Sequence, residues 1–170
     1  MDLFDQEPEF IFEFIRKRNA YLQAQLKTLD NEPKKSHHDL RKGDPSVSPI
    51  CMKNTGKYGR GIYATRDIKK DELIEVSPVV VSPHKEWKYL KKTSLFEHCF
   101  YWGEDDTAIA LGYGSLFNHS YTPNARYDNN EDHLTIEFYA HADIVAGEEI
   151  TINYNGEVDD TGSLWFDVVE

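Results

Sequence analysis

From Ile50 onward the chain consists of short apolar runs broken by turn chemistry, a texture that favours several small sheets over long helices. Residues 60–64 and 73–81 read as strands, with a turn over 67–72 between them. Residues 99–102 and 107–111 are strand-like on either side of an acidic turn at 103–106. The cleanest alternation runs over 133–140, which predicts Leu134, Ile136, Phe138 and Ala140 on one face and Thr135, Glu137 and Tyr139 on the other. Residues 83–92 predict one short helix. A local echo links Asp67-Ile68 through Leu73-Ile74 with Asp143-Ile144 through Glu149-Ile150. Both copies predict a tight connection leading into a strand, and two copies are too few for a repeat protein.

Ahead of this region, residues 9–29 predict an amphipathic helix after Pro8. Phe10, Ile11, Phe14, Ile15, Leu22, Leu26 and Leu29 recur at three- and four-residue steps. Its apolar stripe suits either packing on the domain's own flank or a homodimer contact. Residues 31–49, rich in Lys, His, Asp, Ser and Pro, read as a linker or surface loop. His37 and His38 lie there without companions at ligand spacing and read as solvated.

A hydrophobic content of 39%, with 13% aromatic, is enough for a packed core. The net charge of −11 argues against direct binding of nucleic-acid backbones and suits a basic, lysine-rich partner. Cys51 and Cys99 frame neither a disulfide scaffold nor a cysteine-rich zinc site, so no metal is expected. No apolar run approaches the roughly 20 residues that span a bilayer, and Asp2, Asp5 and Glu7 stand where a signal peptide would be basic. These features lead us to expect no membrane association and a cytoplasmic protein.

Three segments carry the chemistry. Gly59-Arg60-Gly61 flanks one residue with glycines, which lets backbone pass close to a ligand, but it lacks the third glycine and the helix of a dinucleotide fingerprint. Asn118-His119-Ser120 before Pro123-Asn124 offers amide and imidazole groups, and the elbow of a serine hydrolase is absent. Gly147-Glu148-Glu149-Ile150-Thr151-Ile152-Asn153-Tyr154 predicts a strand that delivers Tyr154 at its end, where a side chain is held rigidly yet reaches a substrate.

In this order and spacing the three segments resemble the SET domain family of protein lysine methyltransferases, over roughly residues 50–165, and look most like minimal stand-alone viral and bacterial members. The resemblance implies a mostly β, β-clip-like fold of small sheets with a knot-like crossing near Asn118 and His119. It divides the chain into an N-terminal helix (1–30), a linker (31–49) and a SET domain (50–170) with a variable insert (83–106) and a tail (155–170). It implies S-adenosyl-L-methionine as cofactor and a lysine-containing protein or peptide, histone-like or otherwise, as substrate. For a viral protein or an effector, the host nucleus becomes the alternative location.

By the same resemblance Tyr154 is the catalytic tyrosine, and Gly59, Arg60, Gly61, Tyr101, Asn118 and His119 lie at the cofactor. The zinc segment of many histone-directed members is missing; Leu164-Trp165-Phe166 is the aromatic cluster left to close the site, with Trp165 assigned to the cofactor and Phe166 to the lysine channel. Ile152 stands where many members carry the aromatic that limits methyl number, with Tyr113 as a substitute in the channel. A SET fold that binds cofactor or peptide without turnover is the alternative function.

Overall fold

The computed structural model describes residues 48–57 and 59–168, together with Arg16 by itself. The helix expected over 9–29, its dimer contact, the linker, His37 and His38 lie outside the described residues. Among the described residues, nine strands make two sheets. The first has the order β1 (Ile50–Asn54), β2 (Arg60–Ala64), β9 (Glu149–Ile152), β6 (Asn118–His119). The second has the order β4 (Cys99–Trp102), β5 (Asp106–Ala110), β3 (Leu73–Ser82), β8 (Thr135–Ala140), β7 (Ala125–Asn130). All pairings are antiparallel except β6 with β9.

The inward alternation of β8 is as expected at Ile136, Phe138 and Ala140, each 0% exposed. Leu134 is a correction. It sits before the strand at φ 51° and is exposed, because residues 131–134 are consumed in the turn from β7, closed by Leu134 N–H to the Glu131 carbonyl. Ile62, Ile150 and Ile152 supply the core of the first sheet. Phe117 stacks on Phe138 at 4.6 Å, which joins the Asn-His segment to the second sheet. The helix expected over 83–92 is a 3-10 turn, His84–Glu86, followed by α1, Trp87–Leu90; neither buries a residue, so no core contact extends it.

The two echoed segments pair with each other. Ile68 and Ile144 form an antiparallel bridge, exchanging N–H···O bonds of 2.9 Å in both directions. Asp67 Oδ1 accepts from Ala146 N (2.9 Å), and Asp143 Oδ1 accepts from Lys70 N (2.9 Å). Each copy also closes its own turn identically: Glu72 Oε2 takes Lys69 N–H, and Glu148 Oε2 takes Val145 N–H, both at 3.0 Å. The result is a local pseudo-two-fold clasp that feeds β3 from one copy and β9 from the other. The equivalent turn positions are Asp71 (φ 67°) and Gly147 (φ 90°).

Only one copy therefore uses the residue that tolerates this conformation freely. A Cβ at Gly147 meets nothing within 4 Å, so the cost of Gly147→Ala is backbone strain alone, about 1–2 kcal/mol. We expect that substitution to lower the melting temperature by about 2–8 °C, and Asp71→Gly to leave it unchanged or raise it slightly. Calorimetry of both variants reads the difference; equal effects would remove the strain argument.

Candidate active site

β6 and β9 run side by side in parallel, Asn118 against Thr151 and His119 against Ile152. The Asn118 amide spans the sheet, donating from Nδ2 to the Arg60 carbonyl (3.1 Å) and to Glu149 Oε1 (2.7 Å). Gly61 sits beneath this bridge, and a Cβ there would run into the Glu149 carboxylate, Asn118 Nδ2 and Thr55 Cγ2. The position is thus crowded by the protein's own side chains, whose ends would have to shift to admit a Cβ. Gly59 differs: its φ is 91° and the space beside it is open to 4 Å. Asn124 holds β9 from its other flank, accepting Thr151 N–H (2.9 Å) and donating to the Glu149 carbonyl (2.8 Å).

β9 ends at Ile152, two residues before Tyr154, so the tyrosine lies just beyond the strand rather than at its last position. Three groups hold it there. Its backbone N–H donates to His119 Nδ1 (3.1 Å), and its hydroxyl donates to the Phe117 carbonyl (2.8 Å). Its ring lies almost parallel to Trp165, at 6.5 Å and 17°. Because a backbone N–H can only donate, His119 Nδ1 must accept, which requires the neutral imidazole with its proton on Nε2. Burial pushes the Tyr154 hydroxyl up to about 12.

Tyr154 forms part of the wall of a cavity of about 170 Å³ whose other faces include Phe100, Tyr101, Phe117, Tyr127 and Trp165. Burial, with smaller contributions from Glu157 and Tyr101, pushes the Tyr127 hydroxyl up to about 12 as well. Trp87, Phe96 and Trp165 continue the aromatic lining, with centroid separations of 5.4 and 5.9 Å. The tail that delivers Trp165 is tied down by polar groups: Asn153 Nδ2 donates to the Asp160 carbonyl (2.7 Å), while Asn155 Nδ2 (2.7 Å) and the Tyr121 hydroxyl (3.2 Å) share the Gly162 carbonyl.

The structure brings Arg60, Gly61, Asn118, His119, Tyr154, Trp165 and Phe166 into one neighbourhood. Tyr101 and Trp165, expected beside the cofactor, are among the residues lining the aromatic cavity. Phe166, expected in the channel, is outside that lining and meets His119 edge-on at 6.3 Å. Tyr113 and Ile152 are also outside it; Ile152 is 1% exposed in the core, as the alternation with Ile150 demands. Sequence reasoning missed Tyr127, Phe100 and the buried Asn153. The available signal for Tyr127 was a single aromatic in the otherwise polar run of β7.

Residues 59–155 match the family model described as the SET domain. The chain belongs to the SET-domain family. It is 32% identical over 121 residues to a Schizosaccharomyces pombe histone-lysine N-methyltransferase specific for H3 lysine-37, a match covering 71% of this chain and 78% of that enzyme. It superposes on the crystal structure of a Plasmodium falciparum protein with a provisional histone methyltransferase name, with a TM-score of 0.56 and 28% identity, covering 70% of this chain and 97% of the other. Neither organism is a virus or a bacterium, so these relatives lend no support to the expected likeness to minimal viral and bacterial members.

SET methyltransferases use S-adenosyl-L-methionine. The residues of this SET protein fit such a group on two observations. The aromatic faces of Trp165 and Phe166 remain 59% and 40% exposed beside His119 and Tyr154, and they suit an adenine ring. The backbone at Gly59 opens onto free space next to the Arg60–Asn118 bridge.

The raised tyrosines have a measurable consequence. Below pH 10 both hydroxyls are neutral whether the chain is folded or unfolded. Between about 10 and about 12 the unfolded form ionises first, so stability is lost as pH rises through this window. We expect ultraviolet titration to show late-ionising tyrosines near pH 12, with Tyr154→Phe and Tyr127→Phe each removing one. Ionisation of all tyrosines near 10 in folded protein would contradict the burial.

Proposed function

We propose that this SET protein is an S-adenosyl-L-methionine-dependent lysine N-methyltransferase acting on a histone or histone-like basic protein. The observation that carries the reading is the Tyr154 hydroxyl, held 2.8 Å from the Phe117 carbonyl where the aromatic cavity meets the Arg60, Asn118 and His119 cluster. The passage of the tail beside residues 118–121 is read as the family's knot-like crossing. The histone assignment draws on the fission-yeast relative and on the net charge of −11.

When bound, the cofactor supplies a methyl group made electrophilic by its sulfonium. The work left to the chain is to bind a lysine, neutralise it and align it. A lysine amine has an ordinary pKa near ~10.4 and cannot attack while protonated. The surroundings that push Tyr127 and Tyr154 up disfavour charge, and for an ammonium the same desolvation acts downward. Phe100, Tyr101 and Tyr127 are assigned as walls that steer the lysine stem, with the Tyr127 hydroxyl setting how many methyls the amine accommodates. Trp165 closes the far side.

At the inner end the Tyr154 hydroxyl and the Phe117 carbonyl present two oxygens to a polarised methyl, through C–H···O contacts of about 0.5–1 kcal/mol each. Since Tyr154 is neutral up to about 12, it orients and stabilises rather than removing the lysine proton. His119, neutral and accepting from Tyr154 N–H, fixes the backbone from which that hydroxyl is presented. Alignment of nucleophile, methyl and leaving group supplies much of the acceleration.

The test is incubation with methyl-labelled S-adenosyl-L-methionine and core histones, beside a lysine-matched mixture of acidic proteins. We expect label on histone lysines. Tyr154→Phe should lower turnover by about 10²-fold or more with cofactor affinity within about threefold. Cofactor binding without any transfer would favour the binding-module alternative.

A further inference from the structure

A second cavity, of about 260 Å³, opens beside the aromatic one and shares Trp87, Tyr101 and Thr107 with it. Its remaining lining comes from Glu104 and Asp105 of the turn between β4 and β5, from Asp106 at the start of β5, and from His84. Asp106 is committed: its Oδ1 accepts His84 N–H at 2.8 Å. The His84 ring lies 3.1 Å from the Asp105 backbone carbonyl and leaves that side chain alone. The carboxylates of Glu104 and Asp105 enter no ion pair or hydrogen bond among the described residues.

Between the two cavities stands Tyr101, 84% exposed. Its backbone is held by pairing with Thr107 and by Asn129 Nδ2 donating to its carbonyl at 2.8 Å. An exposed aromatic ring on a held backbone, beside a tryptophan and two uncommitted carboxylates, has the chemistry of a site for a planar cation. A guanidinium stacks on aromatic faces and forks to a carboxylate, while an ammonium, more strongly hydrated, does neither as well.

We infer that this cavity is a subsite for an arginine of the substrate polypeptide, a few residues from the lysine that enters the aromatic cavity. The inference rests on the reading of that cavity as the lysine channel. Cavities that share walls lie within reach of a short extended segment, each residue spanning at most about 3.3–3.6 Å. All the carboxylates belong to the insert, outside the three segments that define the family resemblance, so the preference is a property of this chain's own insert.

The experiment measures binding of short Gly/Ala/Ser peptides around one central lysine, carrying a single arginine at each flanking position in turn. Citrulline versions keep the shape and remove the charge. Fluorescence anisotropy should reveal a flanking position at which arginine binds about five- to tenfold tighter than citrulline, with the advantage falling as salt rises. In the Glu104→Gln, Asp105→Asn double variant the advantage should vanish while the citrulline peptide binds as before. Equal binding of arginine and citrulline at every position, or a preference that survives the double variant, overturns the subsite. The wild-type salt and citrulline data decide the matter even if the variant does not fold. Methyl transfer to the same peptides is scored separately: preference without transfer would sink the enzyme reading and leave the subsite standing, and transfer without preference would do the reverse.

Discussion

A parallel pairing only two residues long, Asn118–His119 against Thr151–Ile152, is what the site depends on. Parallel strands cannot be joined by a tight turn, so the chain leaves β6, builds β7 and β8, and returns through the clasp at Asp143 to lie beside its own earlier segment. So short a ladder holds little by itself. The Asn118 amide on Arg60 and Glu149, and the Asn124 amide on both Glu149 and Thr151, supply bonds that two residues of strand cannot. Half-buried amides that bridge neighbouring strands favour one register, because a slip would break these bonds.

From that register the chemistry follows. His119 and Tyr154 come within hydrogen-bond reach although they are far apart in sequence, and the Tyr154 hydroxyl lands on the carbonyl just before the pair. The tail then passes over residues 118–121, and Gly162 is fastened by Tyr121 and Asn155 so that Trp165 faces Tyr154. Here a set of amide and hydroxyl bonds closes the site.

Features governed by local period or by motif could be read in advance. The strands β2 and β9, the inward face of β8 and the position of Tyr154 belong to this class, as does the echo that turned out to be a clasp. Residues 50–54 and 125–130 carry no clean alternation, since each is apolar at one end and polar at the other, and their strands exist because β2 and β8 offer partners. Gly61 was legible as a position that favours glycine, but the structure adds a different reason: the Asn118–Glu149 bridge crowds it. Tyr127, and the presence of Trp165 rather than Phe166 in the cavity lining, were hidden because the cavity is assembled from β4, β7, the segment before β6 and the tail. No single stretch of sequence contains it.

The claim at the centre of this account is that Tyr154 acts as a neutral, oriented hydroxyl and that the proton is lost from the lysine itself. Its most direct test is the pH dependence of single-turnover methyl transfer in the native protein and in Tyr154→Phe. We expect one ionisation to govern the rise with pH, at the same position in both proteins, with only the plateau lowered by the substitution. A rise that disappears or moves in Tyr154→Phe would make Tyr154 the proton acceptor and contradict the account.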